Sequence, residues 1–143
     1  MNRTGLKLFL FIACSVLLLQ ACSQNKVENV SFNKDVFPIL KSRCFECHTK
    51  GGKGQVASGL DMESYADLMK GTKFGPVIKP NDSLSSTLVI LVEGRADPSI
   101  RMPHGDREPL TKEQIETIRK WIDQGAKNNK VQGNSDCRRQ QGL

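Results

Sequence analysis

The chain has 143 residues, 21 of them basic and 15 acidic, which gives a formal net charge of +6. This length is enough for one domain and no more. The basic residues are spread along the chain without interleaved aromatic residues, a pattern that argues against nucleic-acid binding and fits weak steering towards an acidic partner or an anionic surface.

The N-terminal segment, residues 1–21, is predicted to be an export signal. An apolar run from Leu8 to Leu19 follows two basic residues and is too short to cross a membrane. The run ends in Leu-Gln-Ala-Cys at positions 19–22, which resembles a bacterial lipobox and predicts cleavage before a lipid-modified Cys22. Several acyl chains anchor a protein stably where one would not. An ordinary signal peptide cut near Ala21 and a short uncleaved anchor are the alternatives.

The predicted location is therefore a membrane surface that faces the periplasm or the outside of the cell. Ser23 after the lipidated cysteine favours the outer membrane under proteobacterial sorting rules. Residues 22–30 are predicted to form a flexible leader, residues 31–126 a single domain, and residues 127–143 a polar tail. The tail has too few apolar residues to bury a core, so we predict disorder there, with no assigned role for its Cys137.

The first helix of the domain is predicted to begin at Asn33. Val36, Ile39 and Leu40 lie on one face of this helix, and Pro38 is tolerated near its first turn. The helix leads directly into the next motif.

Positions 44–48 carry the sequence Cys-Phe-Glu-Cys-His, a CxxCH motif typical of c-type haem attachment. The thiols of Cys44 and Cys47 can each add to a haem vinyl group, and the adjacent His48 can then bind the iron as its proximal ligand. The alternatives are a redox-active cysteine pair and half of a zinc site, which would need four ligands in all. The motif occurs once and agrees with export, because covalent haem is attached outside the cytoplasm. One haem is therefore predicted.

The segment from Thr49 to Pro80 is rich in glycine and lysine and is predicted to cover the haem as loops with short helical turns. Within this segment, Ser64 to Lys70 fits a helix that is capped by Ser64 and ended by Gly71.

A third helix is predicted from Ser83 to Glu93. One of the two residues before it would cap the helix, and Gly94 would end it. Leu84, Leu88 and Leu91 would form its buried face.

The clearest helix follows Leu110. Thr111 and Gln114 form a capping box, Leu110 and Ile115 form a hydrophobic staple across it, and Gly125 ends the helix. The buried face of this helix is predicted to contain Ile115, Ile118, Trp121 and Ile122. No stretch of the chain alternates as a strand would.

Six short segments in this order carry a family resemblance: Asp-Val-Phe-Pro-Ile-Leu (35–40), the CxxCH motif (44–48), Gly-Leu-Asp-Met (59–62), Pro-Asn-Asp-Ser-Leu (80–84), Arg-Met-Pro (101–103) and the helix that ends in Trp-Ile-Asp-Gln-Gly-Ala (121–126). Together they resemble the planctomycete-type cytochrome c domain, a branch of the class I cytochromes c, and the resemblance covers residues 32–126. The resemblance implies an all-α fold of about four short helices around one covalent haem c. It also implies that the N-terminal and C-terminal helices pack across each other beside the haem.

The resemblance implies further that Met102 is the distal iron ligand. A thioether favours ferrous iron and raises the reduction potential relative to two histidines, and Pro103 favours an extended backbone at Met102. The family commonly has a second proline where this chain has His104, which could replace Met102 as ligand or hydrogen-bond a haem propionate. Met62 and Met69 are predicted to be core residues.

Three basic residues, Lys79, Arg95 and Arg101, are candidate partners of the haem propionates, because paired charges lower the cost of burying carboxylates. Each of them could equally be a solvated surface group. The apolar surround of the haem is predicted to comprise Phe37, Phe45, Tyr65, Leu88 and Trp121.

The predicted function is outer-sphere electron transfer with redox partner proteins. If protein side chains fill both axial positions, the iron has no open site for oxygen or peroxide, and electrons pass through the exposed haem edge. No paired carboxylates, nucleophile–base set or phosphate loop suggests separate catalysis. A redox subunit of a larger oxidoreductase, a small haem peroxidase and a haem-based sensor or binding module are the alternatives.

Overall fold

The computed structural model describes residues 29–129, and this part of the chain is helical. It contains no strand beyond an isolated antiparallel bridge between Thr72 and Gly75. The predicted all-α, cytochrome c-like fold is confirmed, with six α-helices within residues 29–129 rather than about four. They are α1 (Phe37–Arg43), α2 (Phe45–His48), α3 (Lys53–Ser58), α4 (Tyr65–Lys70), α5 (Thr87–Val92) and α6 (Lys112–Asp123), with a π-helical turn at Phe32–Val36 and a 3₁₀ turn at Pro98–Ile100.

The ends of the described domain lie side by side. The Asn129 side chain accepts a hydrogen bond from the backbone N–H of Phe32 (3.2 Å) and donates one to the carbonyl of Val30 (3.0 Å). The predictions for the export signal, for Cys22 and for the tail beyond residue 129 lie outside the described residues. None of the helices within residues 29–129 is long and apolar enough to cross a membrane.

The chain enters α1 through the π-helical turn, which is capped by Ser31 rather than beginning at Asn33. The Ser31 hydroxyl accepts a hydrogen bond from the backbone N–H of Lys34 (3.3 Å). The backbone N–H of Ser31 donates to the carboxylate of Asp35 (2.7 Å). Pro38 lies in the first turn of α1, where a backbone N–H would have no partner within the helix.

Helices α4 and α6 begin as the sequence predicts. The Ser64 hydroxyl accepts from the N–H of Asp67 at 3.1 Å. In the capping box of α6, the Thr111 hydroxyl accepts from the N–H of Gln114 (3.3 Å), and the Gln114 side chain accepts from the N–H of Thr111 (3.0 Å). These bonds satisfy N–H groups that have no partner within the helix.

The start predicted for the third helix was wrong, because α5 begins only at Thr87. The N–H and hydroxyl of Ser83 both donate to the carboxylate of Asp123 (2.8 and 2.9 Å), and the Ser86 hydroxyl donates to a backbone carbonyl at 2.8 Å. Such side-chain bonds offer the backbone an alternative to the helix. Leu84, expected on the buried face, is consequently 62% exposed, whereas Leu88 is buried.

An aromatic cluster joins the two ends of the domain. The ring of Phe32 lies 5.7 Å from Phe37, 5.2 Å from Tyr65 and 5.3 Å from Trp121 between ring centroids, and Phe37 lies 5.5 Å from Phe45 of α2. Each such pair contributes about 0.5–1.5 kcal/mol beyond its buried area. Helix α6 therefore packs against the N-terminal turn, as the resemblance implies, and also against α5.

Candidate haem site

Helix α2 carries the CxxCH motif as a single helical turn directly after α1. The N–H groups of Cys47 and His48 donate to the carbonyl of Cys44 at 3.1 and 2.9 Å, which fixes the three residues relative to one another. Both cysteines are free thiols. All three side chains line one cavity of about 810 Å³, within the range of roughly 300–1,000 Å³ that is common for ligand and cofactor sites.

The ring of His48 is oriented by a backbone carbonyl. His48 is buried, at 7% exposure, and its Nδ1 lies 3.2 Å from the carbonyl oxygen of Leu60. Because a carbonyl can only accept, this contact assigns the proton to Nδ1 and leaves the lone pair of Nε2 for a metal. The N–H of Met62 donates to the carbonyl of His48 at 2.8 Å and holds the same segment in place.

Gly54 of α3 keeps the space beside Nε2 open. A Cβ at position 54 would lie 2.8 Å from both Cε1 and Nε2 of His48, and 3.0 Å from the carbonyl oxygen of Cys47. A Cβ this close would require the His48 ring to shift, so the absence of a Cβ leaves the ligating edge of His48 accessible in its present position.

We expect Gly54→Ala to disturb the proximal ligand more than the fold. Alanine is the better helix former by about 1 kcal/mol, but its methyl group would displace the His48 ring, so the visible spectrum should gain a high-spin component. Gly51→Ala is the control, because a Cβ there meets nothing within 4 Å although its φ of +82° disfavours alanine. This control should lower the denaturation midpoint without changing the spectrum. A normal low-spin spectrum in Gly54→Ala would contradict the prediction.

The rest of the cavity wall is mostly apolar. Helix α5 contributes several aliphatic side chains, and the 3₁₀ turn and the segment after it contribute others. The apolar and sulfur-containing residues of the wall outside the CxxCH motif are Ala57, Leu60, Met62, Phe74, Pro76, Val77, Leu88, Leu91, Val92, Ile100, Met102, Pro103 and Leu110. Such a wall suits a large planar apolar group.

The structure brings both candidate distal ligands to this cavity. The half-buried Met102 donates its backbone N–H to the carbonyl of Leu91 (3.2 Å), which ties it to α5, and the peptide bond that follows it is cis. His104 also lines the cavity but is exposed. Met62 is buried and belongs to the core, as predicted, although it lines the cavity too. Met69 packs against the core away from the cavity.

The structure does not bring the three predicted propionate partners to the cavity wall. Lys79 pairs with Asp82 at 2.9 Å, and Arg95 pairs with Glu93 and donates to a backbone carbonyl at 2.9 Å. Arg101 is exposed, with the stem of its side chain beside a glycine. Their assignment to the propionates stays a prediction that these contacts do not support.

Three other basic residues line the cavity instead, namely Arg43, Lys53 and Arg107, and no acidic residue does. Arg43 and Arg107 pair with Glu108 and Glu46, so the charge that can lower the cost of placing a carboxylate nearby is chiefly that of the exposed Lys53. Of the five side chains predicted to surround the haem, Leu88 lines the cavity, whereas the other four belong to the aromatic cluster around Phe32.

The environment of Cys44 does not suit thiol–disulfide chemistry. Burial raises the pKa of its thiol to about 12, against the opposing charge of Arg43 and with a smaller rise from Cys47. A buried, protonated thiol is a poor redox group. Within residues 29–129, no three or more Cys, His, Asp and Glu side chains are grouped as a metal site would need. The described residues therefore offer no complete zinc ligand set around the motif.

Residues 44–106 match the model of a family described as Planctomycete cytochrome C. This stretch is a planctomycete-type cytochrome c domain. No curated protein and no solved structure matches the chain. The matched stretch begins at the first cysteine of the CxxCH motif and includes Met102.

A cytochrome c domain implies covalently bound haem c, and the residues of the cavity fit this cofactor. Two thiols are spaced for the vinyl groups, and the free edge of an oriented imidazole is available for the iron. Sequence reasoning missed Gly54, the carbonyl of Leu60 and the basic residues of the wall. Only the glycine content of residues 49–80 indicated that the backbone could lie close to another group. A backbone acceptor and a surface charge leave no local pattern in the sequence.

Proposed function

We propose that the protein is a membrane-tethered, monohaem electron carrier whose iron is held by His48 and Met102. Cytochrome c domains serve haem-based electron transfer, and this domain supplies the general part of the proposal. One observation supports the finer part: Cys44, Cys47, His48 and Met102 all line the same cavity. A haem held by both axial side chains can exchange electrons but offers no coordination position to a substrate.

The cavity reaches solvent beside two exposed apolar residues. Phe74 is 83% exposed and Ile100 is 51% exposed, and both belong to the cavity wall. We infer that the haem edge lies near this opening and that electrons pass there by outer-sphere transfer. The exposed basic side chain of Lys53 on this wall suits a redox partner protein with an acidic surface.

Oxidised and reduced visible spectra of the purified holoprotein test this function directly. We expect low-spin spectra in both oxidation states, reversible reduction and one haem per chain. The reason is that two strong axial ligands leave no weak-field position on the iron. Added peroxide should be turned over no faster than by free haem. A high-spin ferric spectrum would contradict the proposal and favour a peroxidase or a haem-based sensor.

We also propose that lipid on Cys22 holds the protein at a membrane, in the orientation and compartment that the export signal indicates. Cys22→Ser should leave unprocessed precursor, or protein that partitions into the aqueous phase of a detergent extraction, because no acyl chain remains. Metabolic labelling with a fatty acid measures the modification itself. Mature, acylated Cys22→Ser protein in the membrane fraction would contradict the lipobox.

A further inference from the structure

Residues 103–110, called here the Met102 segment because they follow Met102, have little internal structure. Within the described part of the chain, the backbone of residues 103–110 makes no hydrogen bond to another backbone group. Residues 104–109 are exposed, and the chain becomes buried again only at Leu110. The hydrogen bonds of this segment come from two side chains, Arg107 and Glu108. Exposed backbone without internal hydrogen bonds opens at low free-energy cost.

One of these side chains reaches the haem attachment motif and the other reaches the residue just before it. Arg107 pairs with Glu46 of α2, and its guanidinium also lies 3.5 Å from the Sγ atom of Cys47. Glu108 pairs with Arg43 at the end of α1, with 3.4 Å between Nη1 and Oε2. A thioether sulfur remains a weak acceptor, so attachment of haem to Cys47 preserves the contact with Arg107.

The two ion pairs have opposite polarity. The motif side contributes one base and one acid, and the Met102 segment contributes their complements. The exchanged arrangement, with Arg107 against Arg43 and Glu108 against Glu46, would set like charges against each other. The charges therefore favour a single position of the segment over the motif.

We propose that these two ion pairs of opposite polarity, Arg43–Glu108 and Glu46–Arg107, position the Met102 segment against the haem attachment motif. In this way they control how readily the distal ligand is replaced. The inference rests on the proposed ligation by Met102. Each pair is partly exposed and contributes little to global stability. Each can still shift the local equilibrium between a closed and an open segment, because the backbone of residues 103–110 makes no hydrogen bond to another backbone group that would hold it closed.

Binding of imidazole to the ferric holoprotein tests the proposal, with loss of the iron–thioether charge-transfer band as the signal. Imidazole is used above its own pKa, so that it is neutral and salt acts on the ion pairs alone. Glu46→Arg and Arg107→Glu should each tighten imidazole binding about two- to fivefold, the usual effect of an exposed pair. The combined variant should return affinity towards wild type. Added salt should tighten binding to wild type and affect the single variants less.

The matched controls are Glu116→Arg and Lys120→Glu, which reverse the same charges in an exposed pair on α6. Neither residue lines the cavity, so neither control should change imidazole affinity. Single variants that match the controls, or a combined variant without recovery, would overturn the proposal. A fall in the denaturation midpoint that accounts for the tighter binding would overturn it too, since the role would then be structural. A wild type without the charge-transfer band would instead overturn ligation by Met102 and the proposal with it.

Discussion

Replacing Met102 with alanine should abolish the ferric iron–thioether charge-transfer band and open the iron to added cyanide. Met102 lines the cavity together with His48, and its backbone is bonded to α5. Loss of a soft ligand destabilises the ferrous form, so the reduction potential should fall by a sizeable part of the roughly 0.8 V that axial ligands control. Spectroelectrochemical titration of wild type and variant measures both effects.

His104→Ala is the matched control for this prediction. His104 lines the same cavity two residues after Met102, but its side chain is exposed. The backbone hydrogen bond to Leu91 is made by Met102. The control should keep the band and change the potential less. A spectrum that is insensitive to Met102→Ala and collapses with His104→Ala would mean bis-histidine ligation.

The combined change Cys44→Ala and Cys47→Ala should eliminate covalent haem altogether. Each sulfur forms one thioether bond, so the double variant has none, and acid–acetone should extract all haem that remains bound. Wild-type protein should keep its haem through the same extraction and stain for haem after denaturing electrophoresis. Each single variant should retain the haem through one bond.

Cys137→Ser is the control for cysteine loss in general, because this residue lies outside the motif. It should bind haem covalently at the wild-type level. Intact haem extracted from the wild-type protein would contradict attachment at the motif.

The parts of the fold that follow from the sequence are those encoded locally. The CxxCH motif occupies five consecutive positions, and the capping box of α6 needs only Thr111 and Gln114. These patterns work because each partner lies within one helical turn. The same holds for Ser64, which caps α4 through the N–H of Asp67.

The parts that the sequence does not reveal depend on contacts between distant residues. The late start of α5 results from hydrogen bonds of Ser83 to Asp123, 40 residues further on. The pairing of Glu46 with Arg107 spans 61 residues. With 21 basic residues in the chain, nothing in the local sequence separates those that line the cavity from those on the surface.

The aromatic cluster makes Trp121 a built-in fluorescent reporter of unfolding. It is the single tryptophan of the chain, it is 1% exposed, and its indole N–H donates to the carbonyl of Lys127 at 2.9 Å. In a domain whose radius of gyration is about 13 Å, a bound haem quenches such an indole by energy transfer. Trp121 packs against Phe32 and Tyr65, at the place where the two ends of the described domain meet. Its emission should therefore rise when the two ends of the domain separate. It should stay quenched when only the distal ligand is exchanged.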